Sequence, residues 1–94
     1  MTDDSDVARP INPKLERQHN TPEQALGAVL TTLRTAKGWS QEDLGDKVGC
    51  SEVYVNRLEH GRQSPTFRLI VALAQVFGLR PSQLLARAEK KYLK

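Results

Sequence analysis

Aromatic residues make up only 5% of this sequence, there is a single cysteine, and no long apolar run occurs. Each scarcity excludes something. A sheet core draws on β-branched and aromatic side chains, whereas the apolar residues here are mostly Leu, Val and Ala, which suit small packed helices. The lone Cys50 leaves no intrachain disulfide and fits a reducing compartment. No stretch approaches the roughly 20 apolar residues of a membrane span, and no signal-peptide pattern opens the chain. A soluble cytoplasmic protein with no membrane partner is therefore expected. Only His19 and His60 accompany Cys50, too few for a zinc-type ligand set, so no metal or cofactor is expected. A Gly-rich phosphate loop, a nucleophile elbow and a paired-acid cleft are also missing, which argues against an enzyme and a small-molecule substrate.

What is present is a modest excess of base in a chain of 94 residues, enough for one domain. The net charge is +3, and it is unevenly placed. Residues 1–20 carry Asp3, Asp4, Asp6 and Glu16 against Arg9, Lys14 and Arg17, leaving the remainder the more basic part. A basic folded part is compatible with nucleic acid without establishing it. Residues 1–20, polar and broken by Pro10 and Pro13, read as a flexible arm. Its basic residues can lie along DNA, or the segment is a plain leader whose acids would repel phosphate. Residues 21–94 read as the folded domain.

Five short helices are expected in that domain. Thr21-Pro22-Glu23 opens the first with a cap, a first-turn proline and an acid at the positive end of the dipole. Leu26, Val29, Leu30 and Leu33 follow at helical spacing. Ser40 caps a second helix, with Asp43 in capping-box position and Leu44 and Val48 inside. Ser51 caps a third, with Val55 and Leu58 inside. After Ser64-Pro65-Thr66 a fourth helix buries Leu69, Ile70, Leu73, Ala74 and Phe77. Pro81 begins a fifth with Leu84 and Leu85, running toward Lys90, Lys91 and Lys94. Glycines 38, 49, 61 and 78 separate the helices.

The segment Gln41 to His60 is the informative one. Two helices joined steeply by a three- or four-residue turn need a tiny residue where they nearly touch, a residue tolerant of positive φ at the turn, and apolar residues closing the wedge. Gly45, Gly49 and the set Leu44, Val48, Val55 and Leu58 meet those needs within twenty residues. In this register the chain resembles the lambda-repressor/Cro-like (XRE) helix-turn-helix regulators, including small phage-type repressors and restriction-modification controller proteins. The resemblance runs from about Leu26 to Leu85. It rests on Leu33-Arg34, Lys37-Gly38, Ser40-Gln41, Leu44, Val48-Gly49, Ser51, Val55, Leu58-Glu59, Gly61, Pro65, Leu73-Ala74, Gly78 and Leu84-Leu85. Two positions depart from it. Gly45 stands where the family usually has Ala, at a cost of about 0.5–1 kcal/mol of helix stability. Arg80 stands where a capping Ser or Thr is common.

The resemblance implies an all-α, five-helix domain whose third helix, 51–60, enters the major groove of double-stranded DNA as a transcription regulator. Carried over by position, the base-contacting candidates are Glu52, Val53 and Arg57, with Asn56 beside them. Arg57 can fork to guanine O6 and N7, Glu52 can accept from cytosine N4 or simply favour the helix dipole, and Val53 can pack on a thymine methyl. Gln41 matches the family's phosphate-binding glutamine; Ser51, Tyr54, Arg62 and Ser64 are further phosphate candidates. Glu59 is expected to pair with Arg34 rather than touch DNA, Trp39 to cover the end of helix one, His60 to be a loop contact, and Cys50 to fill space. A single reading helix spans few base pairs, so a homodimer on a two-fold operator is expected, with Leu79, Leu84, Leu85 and Leu93 as candidate contacts. Glu42, Asp43 and Asp46 either touch RNA polymerase or stabilise the start of helix two. The competing reading is a protein-interaction module, such as an antitoxin or coregulator, on the same scaffold.

Overall fold

The structure, a computed structural model, describes residues 21–93. The expected arm over residues 1–20 lies outside them. The described residues form five α-helices and no strand: α1 (Pro22–Ala36), α2 (Gln41–Val48), α3 (Glu52–Glu59), α4 (Phe67–Val76) and α5 (Pro81–Leu93).

Local chemistry fixes where each helix starts. The hydroxyls of Thr21, Ser51 and Thr66 accept hydrogen bonds from the backbone N–H groups of Gln24, Tyr54 and Leu69 at 3.1, 3.1 and 3.2 Å. Ser40 and Asp43 satisfy each other's backbone N–H at 3.0 and 2.9 Å, closing the capping box on α2. Each cap of this kind stabilises by about 1 kcal/mol. The start of α5 is solved differently. Arg80 offers no capping side chain, but its backbone N–H donates to Gln83 Oε1 at 2.8 Å, and Pro81 at the first helical position has no N–H to satisfy.

Leu30, Leu44, Val55, Leu58, Leu73 and Leu84 are fully buried, and Leu26, Val29, Ala74, Phe77 and Ala88 complete one continuous core. α1 packs on α3 and α5, α2 on α3 and α4, and α4 on α5. Trp39 seals one end: its ring stacks on Phe77 with centroids 5.7 Å apart, and Lys47 Nζ lies 4.6 Å from its centroid on the other contact.

Several apolar positions sit otherwise than expected. Leu69 and Ile70 are half-buried against the edge of the core, whereas Leu73 and Ala74 of α4, with Phe77 just after it, reach the centre. Leu84 has no exposed surface and so is a core residue rather than a dimer contact, and Leu79 packs half-buried against that core. Leu85 turns outward, at 42% exposure, and the side chain of Leu93 lies outside the description. Among the described residues no single helix is long and apolar enough to cross a membrane. Together α4 and α5 have the length, but they meet at a 98° bend and direct Leu73 and Leu84 into the core.

The turn between α2 and α3 is tight. Gly49 adopts φ 82°, which an L side chain rarely tolerates, and the N–H groups of Gly49 and Cys50 both donate to Gly45 O at 2.7 and 2.9 Å. A Cβ at Gly45 would run into the Cys50 carbonyl oxygen. Gly45 is thus required by a backbone contact as well as tolerated at a propensity cost. A second close approach, not anticipated from the sequence, joins α1 to the end of α3: a Cβ on Gly27 would stand 2.5 Å from the carbonyl oxygens of both Leu58 and Glu59.

Candidate nucleic-acid interface

α3 is amphipathic over only two turns, and its two faces do different work. Val55, Leu58 and Glu59 point inward and are buried; Glu52, Val53 and Arg57 point outward and are exposed, Val53 at 61%. The outward set combines an acceptor, an apolar surface and a guanidinium fork, and none of the described residues covers it.

The inward side carries a polar network that pins α3 to α1 and α2. Arg34 on α1 donates from Nε and Nη2 to Glu59 Oε2 and Oε1 at 2.6 and 3.0 Å, and from Nη1 to the Trp39 carbonyl at 2.7 Å. Gln41, the first residue of α2, donates from Nε2 to Glu59 Oε1 at 2.9 Å, and its Oε1 accepts from Asn56 Nδ2 at 3.3 Å. The Glu59 side chain is only 3% exposed. Burial pushes its carboxyl up, but the hydrogen bonds from Arg34 and Gln41 outweigh that and hold it below its ordinary value. The hydrogen bond to Glu59 raises the Arg34 guanidinium correspondingly. No buried side-chain polar atom among the described residues lacks a partner.

The candidate site residues therefore divide. Arg34 and Glu59 form a bidentate ion pair. Gln41 and Asn56 join each other and Glu59 at the junction of α2 and α3, with Asn56 half-buried behind the outward set. Ser51 is exposed, with its hydroxyl already accepting from Tyr54 N–H, and Tyr54 lies half-buried against the core. Arg62 is exposed in the loop after α3, its N–H bonded to the Arg57 carbonyl at 2.9 Å. Ser64 belongs to another feature, an apolar groove of about 400 Å³ lined also by Pro22, Leu26, Pro65, Leu85 and Tyr92. His60 is exposed, with Nδ1 2.8 Å from Asn56 O. Burial raises the Cys50 thiol, which favours the neutral, unreactive form. Asp43 spends its carboxylate on the cap, and the Ser40 backbone N–H holds its pKa down, so Glu42 and Asp46 are the acids of α2 left facing outward.

The link from Gln41 to both Asn56 and Glu59 was not foreseen. A signal for it existed. Asn56 and Glu59 are three residues apart, on one side of α3, and that side is the one facing the start of α2.

Two short capped helices, α2 and α3, packed together across the tight Gly49 turn with one face of the second exposed, have the arrangement of a helix-turn-helix protein. Comparison with known proteins agrees: the helix-turn-helix domain family matches residues 25–88, and the chain belongs to that family of DNA-binding transcriptional regulators, which are not enzymes. It is 32% identical over 65 residues to an uncharacterised HTH-type transcriptional regulator, y4dJ, of Sinorhizobium fredii, covering 69% of this chain and 84% of that protein. Its fold is similar to that of the clp gene regulator ClgR from Corynebacterium glutamicum, with TM-score 0.73, 26% identity and 79% of each chain covered. It is also similar to the restriction-modification controller protein C.AhdI from Aeromonas hydrophila, with TM-score 0.62 and 36% identity over 65% of this chain and 92% of that one.

Proposed function

We propose that this regulator reads a two-fold operator in double-stranded DNA as a homodimer, each copy placing α3 in the major groove to control a nearby promoter. The observation that carries the reading is the division of α3. Its inward face is locked by the core and the Arg34–Glu59 pair, while Glu52, Val53 and Arg57 stand free on the other side. In this reading those three residues contact bases, with Asn56 half-buried behind them, and Gln41, Ser51, Tyr54 and Arg62 are the candidates for the phosphates that fix register, while Ser64 lines the apolar groove. The apolar groove beside Leu85 is the surface best suited to a second copy, since one reading helix contacts too few base pairs for selectivity. The outward acids Glu42 and Asp46 suit a contact with RNA polymerase at an adjacent promoter. Such a protein works in the cytoplasm, on the nucleoid.

Selection of bound duplexes from a random DNA pool tests the reading directly. A two-fold symmetric motif with half-sites about one helical turn apart is expected, with affinity falling steeply as salt rises because counterions are released. No enrichment, or binding indifferent to salt, would transfer the scaffold to the protein-interaction class.

A further inference from the structure

The amide of Gln41 sits between two partners of opposite demand. Glu59 is a carboxylate already paired with Arg34, so it can only accept, and the Gln41 nitrogen must face it. That contact fixes the nitrogen but leaves the amide free to turn about it; the Gln41 oxygen is held separately by Asn56, which must present its own nitrogen. Orientation is passed along a chain, from the fixed guanidinium to the carboxylate, to one amide and then to the next. With one N–H given to Glu59 and the oxygen occupied by Asn56, Gln41 has one N–H left to offer, at the first position of α2. A phosphate oxygen only accepts; an amide presenting its carbonyl there would repel it.

We propose that Asn56 is a positioning residue that acts through Gln41: by holding the Gln41 oxygen it keeps an N–H, not a carbonyl, turned toward a DNA phosphate. The inference rests on the DNA-binding reading and assigns Asn56 to backbone register rather than to base choice. It predicts that Asn56 matters to DNA affinity only while Gln41 is there to be held.

The test is a double-mutant cycle on the full chain with Gln41→Ala, Asn56→Ala and the pair, measured by fluorescence anisotropy on a selected duplex and on a random one. Asn56→Ala should weaken both duplexes alike, by about 2- to 10-fold for one hydrogen bond. In the Gln41→Ala background it should change neither. Additive losses, or a loss confined to one base pair of the selected site, overturn the proposal; the second result would make Asn56 a base reader. Thermal unfolding shows whether each variant folds. If Asn56→Ala does not fold, Asn56→Ser, which keeps a shorter donor, takes its place in the same cycle. In the DNA-free protein, the Gln41 side-chain amide resonances should shift on Asn56→Ala, and an unshifted pair also refutes the positioning. If the unaltered protein binds neither duplex, the DNA reading falls and the phosphate role with it, while the amide shift still reports whether Asn56 holds Gln41.

Discussion

Replacing Gly27 by Ala should destabilise the protein, although a glycine inside a helix normally invites the opposite. Gly27 lies well within α1, where Ala is favoured over Gly by about 0.8–1 kcal/mol. Against that stands a steric term. The new Cβ would be 2.5 Å from the carbonyl oxygens of Leu58 and Glu59 and 2.7 Å from the Glu59 carbonyl carbon. A real Cβ essentially never comes within 3.0 Å of such an atom and ordinarily sits at 3.4–4 Å, so α1 and the end of α3 must part by at least about 0.5–0.9 Å. All three obstacles are backbone atoms, so no side chain can swing aside to relieve them. Overpacking of this kind costs about 1–3 kcal/mol, and backbone on both sides places this case in the upper part of that range. The net is a loss of about 1–2 kcal/mol, or a Tm lower by roughly 4–16 °C for a domain of this size. Urea and thermal unfolding followed by circular dichroism at equal protein concentration measure it. A Gly27→Ala protein as stable as the parent, or more stable, would refute the close approach of α1 to α3.

Other outcomes follow from the same geometry. Gly49→Ala meets no atom within 4 Å, so its cost is purely conformational, about 1–2 kcal/mol for an L residue held at positive φ; Gly49→Asn should lose less, and denaturant unfolding ranks the two. Glu59→Ala leaves Arg34 and the Gln41 amide facing an empty site and should cost about 3–5 kcal/mol, the range for removing one partner of a buried pair, read from the denaturation midpoint. The Glu59 carboxyl is held below its ordinary 4.5, so the unfolded chain binds its proton first as pH falls. Stability from this group is therefore complete above about pH 4.5 and is lost as pH drops through the lower folded value. Unfolding curves between pH 6 and pH 2 (a range of about four units) should show that loss in the parent and less of it in Glu59→Gln, which has no carboxyl to titrate.

The sequence was informative wherever the deciding contact was local. Thr21, Ser40 and Ser51 each cap a helix through a bond spanning three residues, and such spacing can be read along the chain. Leu84 and Leu85 show where that reading stops. Both are leucines near the start of a helix, and helical periodicity does not say which one meets α1 and α4; packing buried the first and exposed the second. Gly27 lies further beyond reach, since its reason is the backbone of residues 58 and 59, more than thirty positions away. Asn56 is the instructive case at the site itself. Its polarity suggested an outward role beside Arg57, yet the same polarity lets it satisfy Gln41, and only the crossing of α2 over α3 chooses between the two.

Separation of function on α3 leads to a sharper expectation for Arg57. Its side chain is exposed and has no assigned partner in the polar network, so nothing in the core depends on it. Exposed substitutions away from caps and networks usually change stability by less than about 0.5 kcal/mol, and Arg57→Ala should therefore unfold at the parent temperature. Binding is another matter. A guanidinium forked to guanine discriminates by about 1–3 kcal/mol, so the variant should lose about 5- to 150-fold on the selected operator and much less on random DNA, with relaxed preference at one base pair per half-site. Equal losses on both duplexes would make Arg57 a phosphate contact instead. A large drop in Tm would be more damaging, because it would mean that the outward face of α3 also holds the fold together and that base choice and stability cannot be altered independently in this protein.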